Sequence, residues 1–503
     1  MKKNDIIELK ITDMSVDGEG VGRYEDIAFF VKDALAGDKV RAVITKLKKG
    51  YGYARLCEVI TPSEDRIEPA CPNAAKCGGC QIMQLDYKAQ LKLKENKVKN
   101  DLVRIGKQRG INTEPIIGMD EKELLHFRNK VQFPVGISKD GRVVTGFYAG
   151  RTHCIIETHS CPVSAPEADD LIGTVRRFIE ENHISVYDEA SGKGLVRHVL
   201  IRTGFSTGQI MVCLVINGET LGKNKRTGED LDEAFACALK SSGYGSRISC
   251  IGLNINKENT NVILGRQMVF LAGNRYIEDN IGDIRFRISP LSFFQVNSRQ
   301  TEKLYSKALE YADLTGSETV WDLYCGIGTI SLFLARKAKR VFGVEIVPDA
   351  VSNARENAHL NGITNAQFFC GSSEEIFPKM CKEPGFCADV VVVDPPRKGC
   401  GAALLAAILE VGPDRVVYVS CNSSTLARDI AILSERYSLE AAAPVDMFPH
   451  TVHVECCVLL SKLHSEHHIE VTVDMDELDV TKAEDHNVPQ CPLEKVAAIN
   501  KKY

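Results

Sequence analysis

The 503-residue chain is too long for one ordinary hydrophobic core, and at roughly 100 to 200 residues per domain it predicts about three domains. Its 44% hydrophobic and 26% charged residues are typical of a globular protein, and no apolar run predicts a membrane span. The first residues lack the apolar core of a signal peptide, so we expect a cytoplasmic protein. The net charge of −5 does not exclude a nucleic-acid partner, because a basic surface can coexist with acidic regions.

Short β segments broken by glycine fill residues 5 to 60 and predict a small barrel. Within them, the segment 45–55 interleaves lysines with Tyr51 and Tyr53. This pattern suits phosphate contact combined with base stacking, as in proteins that bind single-stranded nucleic acid. A solvated hairpin is the alternative for so short a segment.

A helix is predicted at residues 84–109, where Leu91, Val98 and Leu102 recur at helical spacing. Its other side is rich in lysine and arginine and includes Lys94 and Lys97. Such a side is either a solvated helix face or a surface that lies along a phosphate backbone.

The rest of the chain changes pattern near Phe293. Before it, mixed strands and helices predict a middle α+β domain; after it, alternating apolar strands and helices predict a parallel, doubly wound sheet. We therefore expect domains at 1–62, 63–285 and 286–463, followed by an acidic tail at 464–503 to which no function is assigned.

The first strand of the doubly wound sheet leads into a glycine turn that predicts a cofactor site. Gly326 and Gly328 stand where the strand turns into a helix, and Glu345 ends the second strand, 19 residues after Gly326 (345 − 326). An acid at about this distance can bind ribose hydroxyls. A dinucleotide is the alternative cofactor, but Ser331 replaces the third glycine of its fingerprint. We favour S-adenosylmethionine, which has no phosphate to bind at the helix terminus.

Two residues at later strand ends predict covalent chemistry on a pyrimidine. Cys421 follows an apolar strand, so its thiol can face a cleft, although a single cysteine is more often a buried structural residue. Carbon 5 of uracil is a weak nucleophile until a thiolate adds at carbon 6, after which a base must remove the carbon 5 proton. Glu455 is the candidate base, and Asp394 either orients the uracil edge or merely caps its strand.

Together these segments resemble the TRAM-containing RNA uracil-5-methyltransferase family, and in particular its iron–sulfur branch, which acts on 23S ribosomal RNA. DGEGVGR at 17–23 is similar to the TRAM barrel, and ISPLSFFQVN at 288–297 to the segment that leads into the family's catalytic domain. SCN at 420–422 and HVE at 453–455 resemble the nucleophile and base motifs. The resemblance implies an α/β protein with a Rossmann-like methyltransferase domain, an OB-like RNA-binding barrel and a middle iron–sulfur domain.

The resemblance also implies roles for individual residues. Phe293 would border the target base, and four residues would contact S-adenosylmethionine: Gln295, Tyr324, Glu345 and Asp394. Two departures stand close to these positions: Ser423 replaces a proline that is frequent after SCN, and serines 372–373 replace a frequent acid.

Most of the eighteen cysteines are expected to be reduced, because the chain is long and has no signal for export. Cys71, Cys77 and Cys80 share one loop, and Cys161 stands in a second. By spacing alone, four thiolates suit zinc and an iron–sulfur cluster about equally. The resemblance implies a 4Fe-4S cluster on these four residues, which we expect to stabilise the middle domain because methyl transfer requires no electron.

The expected activity is formation of 5-methyluridine in 23S ribosomal RNA through a covalent cysteine–uracil adduct. One alternative is the same reaction on transfer RNA. The other is a non-enzymatic RNA-binding or folding factor. RNA is the expected partner in all three cases, and we expect a monomer.

Overall fold

Five short strands at the N-terminus close into a barrel, as the glycine-broken β segments predict. The computed structural model describes residues 1–463, and the acidic tail at 464–503 lies outside them. The third and fifth strands pair in parallel and the remaining neighbours are antiparallel. The strands are β1 (Ile6–Met14), β2 (Gly20–Tyr24), β3 (Ile27–Lys32), β4 (Lys39–Lys48) and β5 (Tyr51–Thr61), in the barrel order β1-β2-β3-β5-β4.

Helix α1 (Tyr87–Arg104) occupies most of the helix predicted at 84–109. Asp86 caps it by accepting a hydrogen bond from the backbone N–H of Lys88. Its apolar residues Val98 and Leu102 are buried in the core of the C-terminal sheet, as the helical spacing predicts.

The polar side of α1 differs from the prediction. Lys94 is fully buried, and its ammonium pairs with the carboxylate of Asp446 at 2.6 Å, which offsets the cost of burying the charge. Lys94 therefore belongs neither to a solvated face nor to a phosphate-binding surface. The prediction is therefore wrong for Lys94, whereas Lys92 and Lys99 are exposed.

A seven-stranded sheet in the order β12-β11-β10-β9-β6-β7-β8 forms the middle region. Both of its central strands, β9 and β10, are buried along their whole length, because two helices cover one face and the C-terminal region covers the other. The elements are β6 (Lys130–Ile137), β7 (Val143–Tyr148), β8 (Ile155–Glu157), α2 (Pro166–Glu181), β9 (Val196–Thr203), β10 (Ile210–Ile216), α3 (Leu231–Lys240), β11 (Ile248–Ile255) and β12 (Gln267–Gly273).

A second seven-stranded sheet forms the C-terminal region, in the order β17-β16-β15-β18-β19-β21-β20. Strands β15 to β19 are parallel, and β21 is antiparallel to both of its neighbours. The elements are the hairpin β13 (Ile277–Ile281) and β14 (Ile284–Ile288), then α4 (Ser298–Ala312), β15 (Thr319–Asp322), α5 (Thr329–Ala335), β16 (Arg340–Glu345), α6 (Pro348–Leu360), β17 (Ala366–Cys370), α7 (Ser373–Met380), β18 (Val390–Val393), α8 (Ala402–Val411), β19 (Arg415–Ser420), α9 (Ser423–Leu433), β20 (Tyr437–Val445) and β21 (Glu455–Lys462). The predicted doubly wound sheet is thus confirmed.

The outer edge of β20 is covered by an extended segment at residues 112–117. Thr113 and Ile117 form parallel bridges with Ala442 and Val445, and the backbone of the segment exchanges hydrogen bonds with the strand. This segment precedes the middle sheet in the chain, so two regions that are distant in sequence share one sheet edge.

The α/β fold class with an N-terminal barrel is confirmed. The division at residues 62 and 285 stays a prediction, since residues 1–462 form one compact unit. No helix among residues 1–463 is both long and apolar enough to cross a membrane.

Candidate active site

The predicted catalytic and cofactor residues meet at one edge of the C-terminal sheet. Tyr324, Asp394 and Cys421 come just after β15, β18 and β19, and Glu345 ends β16. The carboxyl ends of parallel strands lie at the same edge, which is where ligands of such sheets bind. Because β21 is antiparallel to β19, its first residue, Glu455, lies at this edge as well.

The glycine turn after β15 leaves room for a ligand. Gly326 and Gly328 have φ values of 55° and 86°, the left-handed conformation that favours glycine, and a Cβ at Gly326 would meet nothing within 4 Å. The Glu345 carboxylate accepts hydrogen bonds from the N–H groups of Gly326 at 3.2 Å and Val347 at 2.9 Å. A carboxylate has about four acceptor positions, so this one can still accept ribose hydroxyls.

Cys421 and Glu455 stand opposite each other at the adjoining ends of the neighbouring strands β19 and β21. Ser420 pairs with Cys456 in the antiparallel register of β19 and β21, and the same register carried one residue further sets Cys421 opposite Glu455. Glu455 is only 3% exposed, whereas Cys421 is half-buried. The thiol and the carboxyl therefore belong to one site.

Burial sets the ionisation of this pair. It raises the pKa of Cys421 to about 11, with Glu455 and Asp394 acting in the same direction and Arg397 opposing them. Burial and the nearby Asp394 raise the pKa of Glu455 to about 8, and Arg397 again opposes. At neutral pH the free site therefore holds mainly a thiol and a carboxylic acid, and higher pH favours the forms that the chemistry needs.

Asp394 is the third acid of the site. Burial raises its pKa to about 7, and the charge of Asp322 acts in the same direction. A carboxyl that is partly protonated near neutral pH can both donate and accept a hydrogen bond, which suits the edge of a uracil ring.

The loop at 289–297 contributes the remaining predicted residues. Gln295 is buried, and its backbone carbonyl accepts a hydrogen bond from Asn129 Nδ2 at 2.9 Å. Phe293 is 69% exposed, which is unusual for a phenylalanine and leaves its ring available for stacking.

Arg397 is a functional candidate that sequence reasoning missed. It is the cation that favours the ionised forms of both Cys421 and Glu455. The available signal was its position directly after the Asp-Pro-Pro segment, at the same strand end as Asp394.

The four predicted metal ligands line one cavity of about 80 Å³: Cys71, Cys77, Cys80 and Cys161. Burial and the neighbouring thiols raise the pKa of Cys80 to about 12. Arg128 lines the same cavity, where its charge can offset deprotonated thiols. Within residues 1–463, no three His, Cys, Asp or Glu side chains converge closely enough to hold a single metal ion.

The barrel presents a surface of cations and aromatic rings. Lys46, Lys48 and Lys49 are exposed around the turn between β4 and β5. Next to them, Tyr51 and Tyr53 lie 5.8 Å apart between ring centroids, and both contact Phe30.

Known proteins are similar to this chain in sequence and in fold. The family model for tRNA (Uracil-5-)-methyltransferase matches residues 256–463, and the TRAM domain model matches residues 2–57. A protein described as an uncharacterized RNA methyltransferase from Halalkalibacterium halodurans is 47% identical over 461 residues, which cover 92% of this chain and 98% of that protein. A similarly described protein from Clostridium acetobutylicum is 47% identical over 466 residues, with the same coverage.

A solved structure extends the similarity to the fold. It is the Pyrococcus abyssi tRNA (uracil-54, C5)-methyltransferase in complex with S-adenosyl-L-homocysteine. It superposes with a TM-score of 0.70 at 27% identity and covers 90% of this chain and 100% of its own. The chain therefore belongs to the TRAM-containing RNA uracil-5-methyltransferase family, whose members depend on S-adenosylmethionine.

Proposed function

We propose that this protein forms 5-methyluridine in 23S ribosomal RNA, with Cys421 as covalent nucleophile and Glu455 as base. The observation that carries the proposal is the juxtaposition of this thiol and this carboxyl at the cofactor edge, beside Arg397. A non-enzymatic RNA-binding factor would have no use for that arrangement.

The choice of ribosomal RNA rests on the resemblance of the barrel and the four-cysteine loop to the iron–sulfur branch of the family. Transfer RNA is the second candidate, because the solved relative is named for a uracil of tRNA. We also propose that the protein is a monomer and that it acts in the cytoplasm. We retain the proposed domains 1–62, 63–285 and 286–463.

In the proposed mechanism, the Cys421 thiolate adds to carbon 6 of the uracil, and the electron pair of the carbon 5–carbon 6 double bond moves toward carbon 5 and the carbon 4 oxygen. Carbon 5 thereby becomes nucleophilic. S-adenosylmethionine, when bound, supplies the methyl group that carbon 5 takes up. Glu455 then removes the carbon 5 proton, the double bond re-forms, and the bond between sulfur and carbon 6 breaks to release the thiolate.

Four residues are proposed to hold the cofactor: Gln295 of the loop at 289–297, and Tyr324, Glu345 and Asp394 of the sheet edge. Glu345 would accept hydrogen bonds from the ribose hydroxyls, because two backbone N–H groups already fix its orientation. The exposed ring of Phe293 supports a stacking contact with the target base.

We further propose that Cys71, Cys77, Cys80 and Cys161 hold a 4Fe-4S cluster. Zinc requires four donors within about 2.3 Å of one point, whereas a cluster of four irons spreads its thiolates around a volume. Thiols that surround a cavity without converging suit the second arrangement. The cluster would stabilise the loops that carry it, and no step of the methyl transfer passes through it.

The catalytic assignment is tested by two variants that fail on opposite sides of the covalent intermediate. Cys421→Ala should form no RNA adduct and no methylated product, because nothing adds at carbon 6. Glu455→Gln should transfer the methyl group and then retain the RNA on Cys421, which a denaturing gel shows as a retarded band. Normal turnover of Glu455→Gln, or an adduct on Cys421→Ala, would contradict the assigned roles.

The substrate is tested by mapping 5-methyluridine in a strain from which the gene has been deleted. Loss of one ribosomal 5-methyluridine with all transfer RNA sites retained is the expected result. If the ribosomal sites remain and a transfer RNA site is lost, the second candidate is correct.

A further inference from the structure

One face of helix α1 contacts both catalytic segments of the methyltransferase sheet. The face is defined by polar residues spaced three and four positions apart, which lie one above the other on a helix. These residues are Tyr87, Gln90, Lys94, Lys97 and Asp101. The face lies against the loop at 446–454, which we name the base loop because Glu455 follows it, and against the start of α9, which follows Cys421.

The first anchor of the base loop is a buried ion pair. Lys94 Nζ donates to Asp446 Oδ1 at 2.6 Å and to the carbonyl of Phe448 at 3.0 Å, and both charged side chains are fully buried. The hydroxyl of Tyr87 donates to Asp446 Oδ2 at 3.0 Å. In the register of β20 and β21, Val445 pairs with Glu455, so Asp446 directly follows the residue opposite the base.

Two further side chains hold the rest of the base loop. Gln90 Oε1 accepts a hydrogen bond at 2.8 Å from the backbone of His450, whose φ of 68° is uncommon for a residue other than glycine and requires support from its surroundings. Lys97 Nζ donates to the carbonyl of Val452 at 3.4 Å. The loop is thus fixed at three points along its length by a helix outside its own sheet.

The other end of the same face reaches the nucleophile segment. Asp101 Oδ2 accepts hydrogen bonds from Ser423 Oγ at 2.6 Å and from Ser424 Oγ at 2.9 Å. Ser423 is buried and stands two residues after Cys421, at the first position of α9. A proline at this position could not donate this bond, so the serine adds a connection between α1 and the turn that carries the thiol.

We propose that helix α1 is a positioning element for the reaction, in which Lys94 sets the base Glu455 and Asp101 sets the nucleophile Cys421. The inference rests on the proposed function, because it takes Cys421 as the nucleophile and Glu455 as the base. It assigns a different chemical step to each end of one helix. A change at Lys94 should slow release of the RNA from Cys421, whereas a change at Asp101 should slow formation of the adduct. Misplacement of a reacting group by about 1 Å can lower a rate about a hundredfold, so small displacements suffice.

The base end is tested with the double variant Lys94→Met with Asp446→Asn. Removing Lys94 alone would leave an unpaired buried charge, whereas the double variant removes both charges and keeps a similar volume. With a full-length 23S ribosomal RNA transcript, adduct formation should match wild type, and release should slow about tenfold or more, so that the adduct accumulates. Lys92→Met, the same substitution on the exposed side of the helix, is the control. Lys97→Met should slow release of the RNA from Cys421 less than the double variant does. It provides the test of the base end if the double variant does not fold.

The nucleophile end is tested with Asp101→Ala, which should slow adduct formation about tenfold and leave release unchanged. Asp101→Asn keeps an acceptor oxygen and should restore most of the rate, and the exposed Asn100→Ala is the control. A purely structural role would slow both steps together and lower the melting temperature. That result overturns the inference. It is likewise overturned if wild type is active and the variants at Lys94 and Asp101 form and release the adduct at the same rates as the control variants. A wild type that forms 5-methyluridine in neither the ribosomal transcript nor a transfer RNA pool overturns the proposed function and the inference with it.

Discussion

Replacing the proposed base Glu455 by glutamine, its neutral isostere, should raise the free energy of unfolding, and this gain in stability should grow with pH. Burial raises the pKa of Glu455 from 4.5 to about 8 in the folded protein. Below the unfolded pKa the carboxyl is protonated in both states and contributes nothing. Between the two values the unfolded chain loses the proton while the folded chain keeps it, so stability falls as pH rises, and above about 8 the full cost of the buried charge is present.

The size of this effect follows from the two pKa values. Each pKa unit corresponds to about 1.4 kcal/mol, so the cost of the ionised form at high pH is roughly 4–5 kcal/mol. Glu455→Gln removes that cost, and its melting temperature should exceed that of wild type by a margin that widens between pH 5 and pH 9. Differential scanning fluorimetry across this range measures the margin, with Glu440→Gln, an exposed glutamate on β20, as the control. A margin that does not change with pH would refute the reasoning.

Three further outcomes are expected. Arg397→Met removes the cation that favours both ionised catalytic groups, so the pH–rate profile should move to higher pH and the rate at neutral pH should fall roughly ten- to a hundredfold. Arg397→Lys should recover the profile, and an unmoved profile for Arg397→Met would exclude the role. Neutralising Lys46, Lys48 and Lys49 should lower the slope of log affinity for RNA against log salt by roughly two to three, with cofactor binding unchanged in calorimetry; an unchanged slope would favour a merely solvated hairpin. Cys80→Ser should bleach the brown colour expected of anaerobically purified protein and lower its stability more than its activity per folded molecule, and a colourless wild type with stoichiometric zinc would contradict the cluster.

The cofactor edge could be predicted from the sequence because its residues follow local signals. Cys421 and Asp394 come directly after apolar strands, and alternation of strands with helices is enough to bring such positions to one edge. The gap between Gly326 and Glu345 is likewise a local property of one strand–helix–strand unit.

Contacts between distant segments could not be predicted in this way. Lys94 looks like a residue of a solvated face, because lysines are almost never fully buried unless paired. Its partner Asp446 stands 352 positions later in the chain, and no local pattern connects the two. Arg397 was missed for a related reason, since its influence on Cys421 and Glu455 depends on how three separate strand ends meet.

The segment at 112–117 also limits how this protein can be divided for laboratory use. It occupies the edge of β20, whose residues from Ala441 to Val445 are buried. A fragment that starts at residue 286 would keep every residue proposed for catalysis and yet expose a long apolar strand with unpaired N–H and C=O groups. Such edges recruit further strands from other molecules. Excising the catalytic region alone should therefore yield aggregates, and a soluble minimal version would have to retain the chain from about residue 84 onward.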